Sequence, residues 1–285
     1  MTDVTQTEFT RDGSLAGRTI LMSGGSRGIG LAIALRAARD GANVALLAKT
    51  AQPHPKLEGT IHTAAAEIEA AGGAALAIVG DVRDDDSVAA AVAATVERFG
   101  GIDIVVNNAS AIDLSATADL PMKKYDLMQD INCRGSFLLA KTAFPHLQKS
   151  DHAHVLTLSP PINLNPAWAG AHLGYTIAKY GMSLVTLGLA QEWRAHGIAA
   201  NSLWPQTTIA TAAVQNLLGG DSVMAASRTP EIMSDSAHVV LTSDPATVTG
   251  NFFIDEQVLA GVGVTDLSVY GGSAETLARD IFLDS

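Results

Sequence analysis

The sequence predicts an α/β fold in which a doubly wound parallel sheet of about seven strands carries helices on both faces. Short apolar runs of β-prone residues recur along the chain, and helical patterns separate most of them. The runs are apolar throughout instead of alternating, which is typical of strands buried on both faces of a parallel sheet. The predicted strands are Arg18–Met22, Asn43–Ala48, Ala74–Val79, Asp103–Val106, His154–Leu158, Ala199–Leu203 and Asn251–Ile254.

The helical segments between these strands have recognisable starts and stops. Asp84 can cap the start of one helix, and Gly41, Gly72 and Gly100 each follow the end of another. A glycine in this place allows the left-handed conformation in which helices commonly end. The predicted helices are Gly28–Asp40, Thr60–Ala71, Asp84–Phe99, Lys123–Ser150 and Leu173–Ala195.

Composition and charge exclude several classes of protein. The formal net charge of −11 argues against binding to nucleic acids, whose phosphates attract basic surfaces. The single cysteine, Cys133, cannot form an intramolecular disulfide and suits a reducing compartment. We find no secretory signal and no apolar run of the ~18 residues that a membrane span needs, so the expected location is cytoplasmic. The eight histidines show no metal-binding spacing, and no metal site is predicted.

Tyr175 and Lys179 form a candidate acid–base pair. They are four residues apart within a predicted helix, so their side chains lie on the same face, one turn apart. An ammonium beside a phenol favours the phenolate and is expected to lower the phenol pKa from its ordinary value of ~10. A lowered pKa makes tyrosine a usable acid or base near neutral pH. The pattern alone is common, and the alternative is an interfacial tyrosine beside a solvated lysine.

A glycine-rich turn, Ser23–Gly30, follows the first predicted strand and begins the first predicted helix. Gly24 permits a tight turn, while Gly28 and Gly30 let the backbone approach a pyrophosphate and let the helix pack closely on the strand. Free N–H groups at the start of the helix would then face the phosphates. The sequence of strand, turn and helix predicts a dinucleotide site of the Rossmann type.

Five motifs in a fixed order resemble those of the classical short-chain dehydrogenases/reductases. The glycine turn Ser23–Gly30 is the first, with serine in place of the family's threonine. Asn107–Ser110 corresponds to the family's N-N-A-G, with serine in place of the last glycine. Asn132 matches the catalytic asparagine and Ser159 the catalytic serine, and the tyrosine–lysine pair completes the set as Y-x-x-x-K. The resemblance covers roughly residues 15 to 255.

One subgroup of this family is matched more closely, through the stretches Ala48–Lys56, Ser159–Pro166 and Gly250–Asp255. In that subgroup a sterol-carrier-type domain often follows the dehydrogenase domain. The sequence ends at Ser285, so we expect no such domain here. The likeness also implies a lipid-like or fatty-acyl substrate, by analogy alone.

By the family resemblance, four residues carry the chemistry. Tyr175 would be the acid or base, Ser159 would hydrogen-bond the substrate oxygen, and Lys179 would lower the phenol pKa and hold the nicotinamide ribose. Asn132 would anchor a water-mediated proton path behind Lys179. The resemblance also implies cofactor contacts from Gly24, Ser26, Arg27, Gly28, Ile29, Gly30, Lys49, Asp81, Val82, Asn108, Ala109, Tyr175, Lys179, Pro205, Ile209 and Thr211.

The sequence departs from the family pattern at two places near the expected site. Ser159 and Tyr175 are farther apart than is usual, so the loop over residues 162–173 is expected to reshape one wall of the substrate pocket. Pro205 is followed by Gln206 where the family has glycine. The backbone contacts that the family makes there to the carboxamide of the nicotinamide are therefore expected to be less regular in this chain.

Charge at the end of the second predicted strand favours NADP over NAD. NAD-specific folds place Asp or Glu about 20 residues beyond the glycine turn, where the carboxylate binds the ribose hydroxyls. The corresponding positions here are Ala48, Lys49 and Thr50. Lys49 and Arg27 could clasp a 2′-phosphate, which a carboxylate would repel. The alternative is that both are ordinary surface cations.

A single dinucleotide-binding catalytic domain is expected over residues 15–256. A polar arm, residues 1–14, precedes it, and a tail, residues 257–285, could cover the sheet edge or a subunit contact. Prolines in Gln52–Pro55 predict a longer loop after the second strand. The excursion over residues 206–236 is expected to be a substrate lid, since open α/β folds bind ligands at the carboxyl ends of strands. By the resemblance, two long helices pair between subunits into a homodimer or homotetramer.

The leading interpretation is an NADP-dependent oxidoreductase that interconverts a secondary alcohol and a carbonyl on a hydrophobic, possibly lipid-like small molecule. The main alternative is a redox-silent nucleotide-binding or sensor protein, although such proteins usually lack the tyrosine or the lysine. A lyase or epimerase with tightly held NAD is a third reading, and the glycine spacing fits the reductases better.

Overall fold

A computed structural model describes residues 13–53, 59–218, 220–272 and 276–284. The polar arm predicted over residues 1–14 lies almost wholly outside these ranges, as does the second half of the loop predicted over Gln52–Pro55. Small parts of the predicted lid and tail also lie outside them.

The described residues form one parallel sheet of seven strands in the order β3-β2-β1-β4-β5-β6-β7. This arrangement confirms the predicted fold class. Each strand begins and ends within about one residue of its predicted bounds, because an apolar run that is buried on both faces is a strong local signal. The strands are β1 (Thr19–Ser23), β2 (Asn43–Ala48), β3 (Ala74–Val79), β4 (Ile104–Asn107), β5 (His154–Thr157), β6 (Ala199–Trp204) and β7 (Phe252–Ile254).

The strand order creates a crevice between β1 and β4. β1 pairs with both β2 and β4, and the chain builds outward from these two central strands in opposite directions. Open sheets of this kind bind ligands beyond the carboxyl ends of the strands at the point where the direction reverses. Ser23 and Asn107, the paired last residues of β1 and β4, therefore mark the floor of the expected site.

Helices cover both faces of the sheet and enclose one apolar core on each. Ile33 of α1 packs in the first core and Val88 of α3 in the second. Neighbouring residues of β1, Ile20 and Leu21, contribute to opposite cores, as alternation along a strand requires. No helix in the described ranges has the length and apolar character that a membrane crossing needs. The helices are α1 (Gly28–Arg39), α2 (Ile61–Ala70), α3 (Asp85–Phe99), α4 (Met122–Met128), α5 (Gly135–Leu147), α6 (Pro166–Ala171), α7 (Leu173–Glu192), α8 (Gly220–Ala225), α9 (Glu231–Leu241) and α10 (Asp255–Gly261).

Side-chain caps fix several helix ends close to their predicted positions. The hydroxyl of Thr60 accepts from the N–H of Thr63 at 3.1 Å, and the hydroxyl of Thr63 accepts from the N–H of Thr60 at 2.8 Å. This reciprocal pair is a capping box at the start of α2. Asp84 caps α3 by accepting from the N–H of Ser87 at 2.7 Å. Gly100 ends α3 with a left-handed φ of 87°.

The single helix predicted over Lys123–Ser150 is interrupted by a π-helical stretch at Gln129–Arg134, between α4 and α5. The prediction of one regular helix is therefore wrong here. The side chain of Asn132 turns inward and exchanges two hydrogen bonds with the backbone of Ala111, at 2.7 and 3.0 Å. A wide helical turn of this kind is frequent at functional sites.

The predicted lid and tail bring irregular structure to the carboxyl ends of the strands. The lid, residues 206–236, contains a π-helical turn at Val214–Leu218, helix α8 and the start of α9. The tail begins inside α10 and later forms a 3₁₀ turn at Ser268–Tyr270. Its last described stretch, residues 276–284, hydrogen-bonds to residues at the end of β6 and just beyond it. We call this stretch the C-terminal segment.

One buried histidine makes the stability of the fold sensitive to acid. His154 begins β5 with only 1% of its surface exposed, and its Nε2 lies 3.2 Å from the carbonyl oxygen of Ser243. Burial, aided by the neighbouring His152, lowers the pKa of His154 to about 3. In the unfolded chain the imidazole takes up a proton below pH ~6.5. Acid therefore favours unfolding, because the unfolded state binds more protons.

We predict that His154→Gln reduces the loss of stability between pH ~6.5 and pH ~4.5. The amide keeps a donor for the Ser243 carbonyl but does not titrate, so the pH slope of the unfolding free energy should fall by about 1 kcal/mol per pH unit. Urea denaturation at both pH values measures this slope. His62→Gln, at an exposed position of α2, is the control and should keep the wild-type slope. An equal pH slope of the unfolding free energy in His154→Gln and His62→Gln would show that His154 does not cause the acid sensitivity.

Candidate active site

The glycine-rich turn lies between β1 and α1, at the crevice of the sheet. Gly24 and Gly28 have left-handed φ angles of +80° and +59°, which would strain any side chain. A Cβ added to Gly24 or Gly30 would lie 2.5 Å from the Nδ2 of Asn108. That Nδ2 in turn donates to the carbonyl of Ser23 at 3.2 Å, so it is held in place. Only glycines leave room here for a cradle of backbone amides that can receive a phosphate.

A cleft of about 480 Å³ extends from this cradle along the carboxyl ends of the strands. Every residue that the sequence predicted as a cofactor contact lines this cleft except Gly30, which packs against Gly25 behind it. The predicted residues that line it are Gly24, Ser26, Arg27, Gly28, Ile29, Lys49, Asp81, Val82, Asn108, Ala109, Tyr175, Lys179, Pro205, Ile209 and Thr211.

The two predicted phosphate-binding cations lie on the cleft wall, and both have partners within the protein. The Nζ of Lys49 lies 3.2 Å from the carboxylate of Asp81, and Arg27 donates to the carbonyl of Gly59 at 2.7 Å. Asp81 also binds the guanidinium of Arg83 at 2.7 Å. Hydrogen bonds from Arg83, and then from Lys49, hold the pKa of Asp81 well below its ordinary value. The carboxylate of Asp81 therefore stays charged between two cations, Lys49 and Arg83, while Arg27 lies elsewhere on the cleft wall.

The candidate acid–base pair lies on α7, with both side chains on its buried face and lining the cleft. Tyr175 and Lys179 have exposed fractions of 4% and 3%. The Nζ of Lys179 donates to the carbonyl of Leu158 at 2.8 Å and lies 5.1 Å from the centre of the Trp204 ring. Ser110 lines the same cleft, and its side chain slightly opposes the rise in the pKa of Tyr175. The structure thus brings both predicted residues to one end of the cleft.

Burial sets the pKa values of this pair. It raises the pKa of Tyr175 above the ordinary value of 10.0, and the nearby carboxyl of Asp280 adds to the rise. It also lowers the pKa of Lys179 to about 7. The sequence-based expectation that Lys179 lowers the phenol pKa is therefore wrong for this structure. Both groups lose their hydration, and the amine binds the Leu158 carbonyl instead of the phenol.

The other two predicted catalytic residues, Ser159 and Asn132, are completely buried. Ser159 follows β5, and its hydroxyl has no hydrogen-bond partner in the described part of the chain. A buried hydroxyl without a partner is costly, and a ligand oxygen would satisfy it. Asn132 braces the backbone of Ala111, while its own carbonyl accepts a bond from the hydroxyl of Ser136 at 2.6 Å. Asn132 therefore shapes the wall behind the site, and the proton path predicted through it stays a prediction.

The C-terminal segment contributes residues that the sequence analysis missed. Asp280 and Ile281 line the same cleft as Lys179, and burial raises the pKa of Asp280 to about 7. Phe282 is fully buried, and its ring centre lies 6.1 Å from that of Tyr175. No periodicity marks these residues. The sequence signal is weak: one aromatic residue between two aspartates in an irregular tail.

The cleft combines groups with complementary chemistry at its two ends. A glycine cradle suited to a pyrophosphate occupies one end, and a phenol and an amine occupy the other, close to the strand end that carries the buried serine. The phenol can exchange a proton with a substrate oxygen, the serine hydroxyl can hydrogen-bond it, and the amine can bind ribose hydroxyls. Among the residues described, no group of three or more His, Cys, Asp or Glu could hold a metal ion. These residues fit a nicotinamide dinucleotide.

Comparison with known proteins agrees with this chemistry. Residues 18–220 match the model of the family described as short chain dehydrogenase. The chain is 57% identical over 273 residues to hydroxysteroid dehydrogenase-like protein 2 from Xenopus tropicalis, and 52% identical to the human protein of that name. Each alignment covers 95% of this chain and 65% of the relative. The chain therefore spans about 65% of the length of these curated relatives.

Solved structures share the fold. A short chain dehydrogenase from Mycobacterium thermoresistibile is 59% identical with a TM-score of 0.90, covering 95% of this chain and 97% of that one. Carveol dehydrogenase from Mycobacterium avium, solved in complex with NAD, is 24% identical with a TM-score of 0.72 over 85% of this chain and 97% of that one, and supports the fold alone. The resemblance drawn from the five motifs is thus confirmed, and the subgroup matched more closely is that of hydroxysteroid dehydrogenase-like protein 2. The chain belongs to the short-chain dehydrogenase family, whose members are NAD(P)-dependent oxidoreductases.

Proposed function

We propose that this protein is an NADP-dependent oxidoreductase that interconverts a secondary alcohol and a carbonyl on a hydrophobic, lipid-like substrate. One observation carries the proposal: a single cleft joins the glycine cradle to the buried pair Tyr175 and Lys179. The positions where a Cβ would collide support a dinucleotide in the cradle. Ser159 directly follows Leu158, which lines the cleft, and its buried hydroxyl bonds to no other described residue, so a ligand oxygen would satisfy it.

The chain's own residues supply binding, orientation and proton transfer. The nicotinamide, when bound, supplies or accepts the hydride. In the reductive direction Tyr175 donates a proton to the carbonyl oxygen, while the hydroxyl of Ser159 polarises that oxygen by a hydrogen bond. In the oxidative direction the phenol must lose its proton first, which burial opposes. The amine of Lys179, which donates to the carbonyl of Leu158, can also bind the ribose hydroxyls of the nucleotide.

We predict that Tyr175→Phe lowers turnover about 10²–10⁴-fold while nucleotide binding is retained, because a positioned acid or base contributes about that factor. Fluorescence titration with NADPH measures binding, and loss of NADPH absorbance with a panel of carbonyl compounds measures turnover. Tyr270→Phe is the control, since the Tyr270 hydroxyl bonds to Asp235 at 2.7 Å and does not line the cleft. Wild-type protein that binds neither NADPH nor NADH below millimolar concentration would end the proposal.

Charge at the end of β2 supports NADP as the cofactor. Ala48, Lys49 and Thr50 offer no carboxylate of the kind that binds the ribose hydroxyls of NAD and repels a 2′-phosphate. Arg27 and Lys49 present cations to this part of the cleft. The side chain of Lys49 is 55% exposed, so its bond to Asp81 can be exchanged for one to a phosphate.

Lys49→Ala should weaken NADPH binding about tenfold and leave NADH binding nearly unchanged, because it removes a charge-assisted contact to the 2′-phosphate alone. Isothermal titration calorimetry with both nucleotides at low ionic strength measures the ratio of the two affinities. Lys149→Ala, at an exposed position just after α5, is the control and should alter neither affinity. Equal losses of affinity for NADPH and NADH would show that Lys49 does not bind the 2′-phosphate.

An apolar and aromatic lining at the Tyr175 end supports a hydrophobic substrate. Trp204 and Ile281 line the cleft with Tyr175. Trp204 also shares a buried cluster with Tyr175 and Phe282, and Trp168 packs against that cluster. Such a surface binds apolar groups through burial and offers few partners to a charged molecule. The name of the curated relatives refers to hydroxysteroids, which agrees with a lipid-like substrate.

A redox-silent nucleotide-binding protein is the second candidate, and one observation favours it. The ring of Phe282 covers Tyr175, whose pKa is raised by burial. A phenol packed in this way gives up its proton less readily, which disfavours its use as a base. The retained tyrosine, lysine and serine favour the enzyme, and the turnover of wild-type protein separates the two candidates.

Exposed apolar side chains on α5 and α7 support assembly into a homodimer or homotetramer. Phe137 on α5 is 50% exposed, and Leu184 on α7 is 58% exposed. Ile177 and Leu187, also on α7, are each 43% exposed. The two helices are neighbours in the fold, and a group of apolar side chains on adjacent helices is typical of an interface.

Leu184→Glu should shift the protein toward the monomer, because it places a charge within the proposed interface. Size-exclusion chromatography with light scattering measures the mass in solution. Val269→Glu, at a 76% exposed position outside these helices, is the control and should assemble like wild type. A wild type that is monomeric at micromolar concentration would contradict the assembly without bearing on the proposed reaction.

A further inference from the structure

Phe282 occupies the space beside the candidate acid–base pair. Its side chain is 0% exposed, and its ring lies 6.1 Å from that of Tyr175 with the two planes inclined by 25°. His172 meets the same ring edge-on at 5.6 Å. Tyr180 and Trp204 lie at centroid distances of 5.2 and 6.0 Å. The phenyl ring therefore fills an aromatic enclosure against Tyr175.

The backbone of Phe282 is strained. Its φ is 72°, and within the described ranges it is the only residue other than glycine with a positive φ. A bulky residue adopts this conformation rarely, and only where its surroundings over-determine it. Strain of this kind concentrates at active sites and ligand clamps. It also lowers the free energy needed to move the ring out of the enclosure.

Polar contacts near the surface hold the C-terminal segment in this position. The carboxylate of Asp284 accepts hydrogen bonds from Asn163, Asn165 and the indole of Trp168, at 2.9 to 3.0 Å. Asn163 also donates to the carbonyl of Phe282 at 3.0 Å. All these donors belong to the segment between β5 and α7. Because the bonds to Asp284 are exposed, water can replace them, and the anchor can be released.

The C-terminal segment forms part of the wall of two separate spaces. Asp280 and Ile281 line the main cleft. Phe282 and the two residues that follow it line a second cavity of about 540 Å³, together with the loop after β5. A Phe282 ring that leaves the aromatic enclosure therefore has this second cavity beside it, and the second cavity is separate from the cleft.

We propose that Phe282 is a specificity-determining residue, which holds the place of the substrate's apolar group beside Tyr175 and yields that place when a matching substrate binds. This inference rests on the oxidoreductase function proposed above. The substrate is then a ketone or secondary alcohol whose reacting carbon carries an aryl or similarly flat apolar group, because the enclosure is built around a phenyl ring. When the substrate binds, the ring of Phe282 leaves the enclosure and the apolar group of the substrate takes its place.

This exchange selects substrates by the size and shape of their apolar group. A group that fills the enclosure recovers the contacts that Phe282 gives up, while the relief of backbone strain favours the displaced state. A carbonyl compound that carries only methyl groups recovers few of these contacts and leaves the ring in place. An apolar group that has entered the enclosure holds the substrate oxygen beside Tyr175, which lines the cleft.

Binding of acetophenone to Phe282→Ala tests the assignment. The substitution leaves a phenyl-sized space beside Tyr175, so acetophenone should bind at least ~10-fold more tightly than to wild type. Isothermal titration calorimetry is performed on the nucleotide-free proteins and repeated with saturating NADP⁺, which cannot reduce the ketone. Val269→Ala, an exposed apolar truncation in the same tail, is the control and should match wild type. Acetone should show no comparable gain.

Equal acetophenone affinities in wild type, Phe282→Ala and Val269→Ala would overturn the proposal. Asp284→Ala is a second variant, which keeps the ring but removes its anchor, and it should tighten acetophenone binding about threefold. If circular dichroism shows that Phe282→Ala does not fold, an unchanged affinity in Asp284→Ala overturns the proposal by itself. A wild type that fails to bind NADP⁺ contradicts the oxidoreductase instead, since the nucleotide-free titrations still report on Phe282.

Discussion

Burial of an ionisable pair is the constraint on which the rest of this structure depends. Tyr175 and Lys179 are almost completely withdrawn from solvent, and loss of hydration disfavours the charged form of each. The pKa of the phenol is raised, and the pKa of the amine is lowered to about 7. Burial therefore favours the uncharged forms of both side chains. Their reactivity in the proposed oxidoreductase depends on what enters the cleft beside them.

The two ends of the cleft are built in opposite ways. The glycine cradle is closely packed, because Asn108 leaves no room for a side chain at Gly24 or Gly30. The ring of Phe282 packs against Tyr175 near the other end, and the backbone conformation of Phe282 costs about 1–3 kcal/mol. Burying a side chain the size of Phe282 returns about 1.5–3 kcal/mol, so the backbone strain offsets much of what burial of the ring contributes. The proposed exchange thus combines a closely packed nucleotide end with a substrate end at which Phe282 yields its place.

The parts of the fold that could be predicted depend on residues close together in the chain. Apolar runs gave the seven strands to within about one residue, and the glycine turn and the tyrosine–lysine spacing placed most of the cleft. The wide turn at Asn132 escaped prediction because its cause, the backbone of Ala111, is 21 residues away. The place of Phe282 beside Tyr175 was not predicted, because Asn163, whose side chain donates to the carbonyl of Phe282, is 119 residues away. The sign of the phenol pKa shift was wrong because a sequence shows neighbouring charges but not the hydration that folding removes.

Ultraviolet difference spectroscopy of tyrosine ionisation tests the effect of burial most directly. The spectrum of wild type minus that of Tyr175→Phe isolates one phenol as the pH of the folded, nucleotide-free protein is raised. Burial predicts that Tyr175 gives no tyrosinate signal at the ordinary tyrosine pKa of 10.0. A difference signal with its midpoint at or below that value would contradict the account.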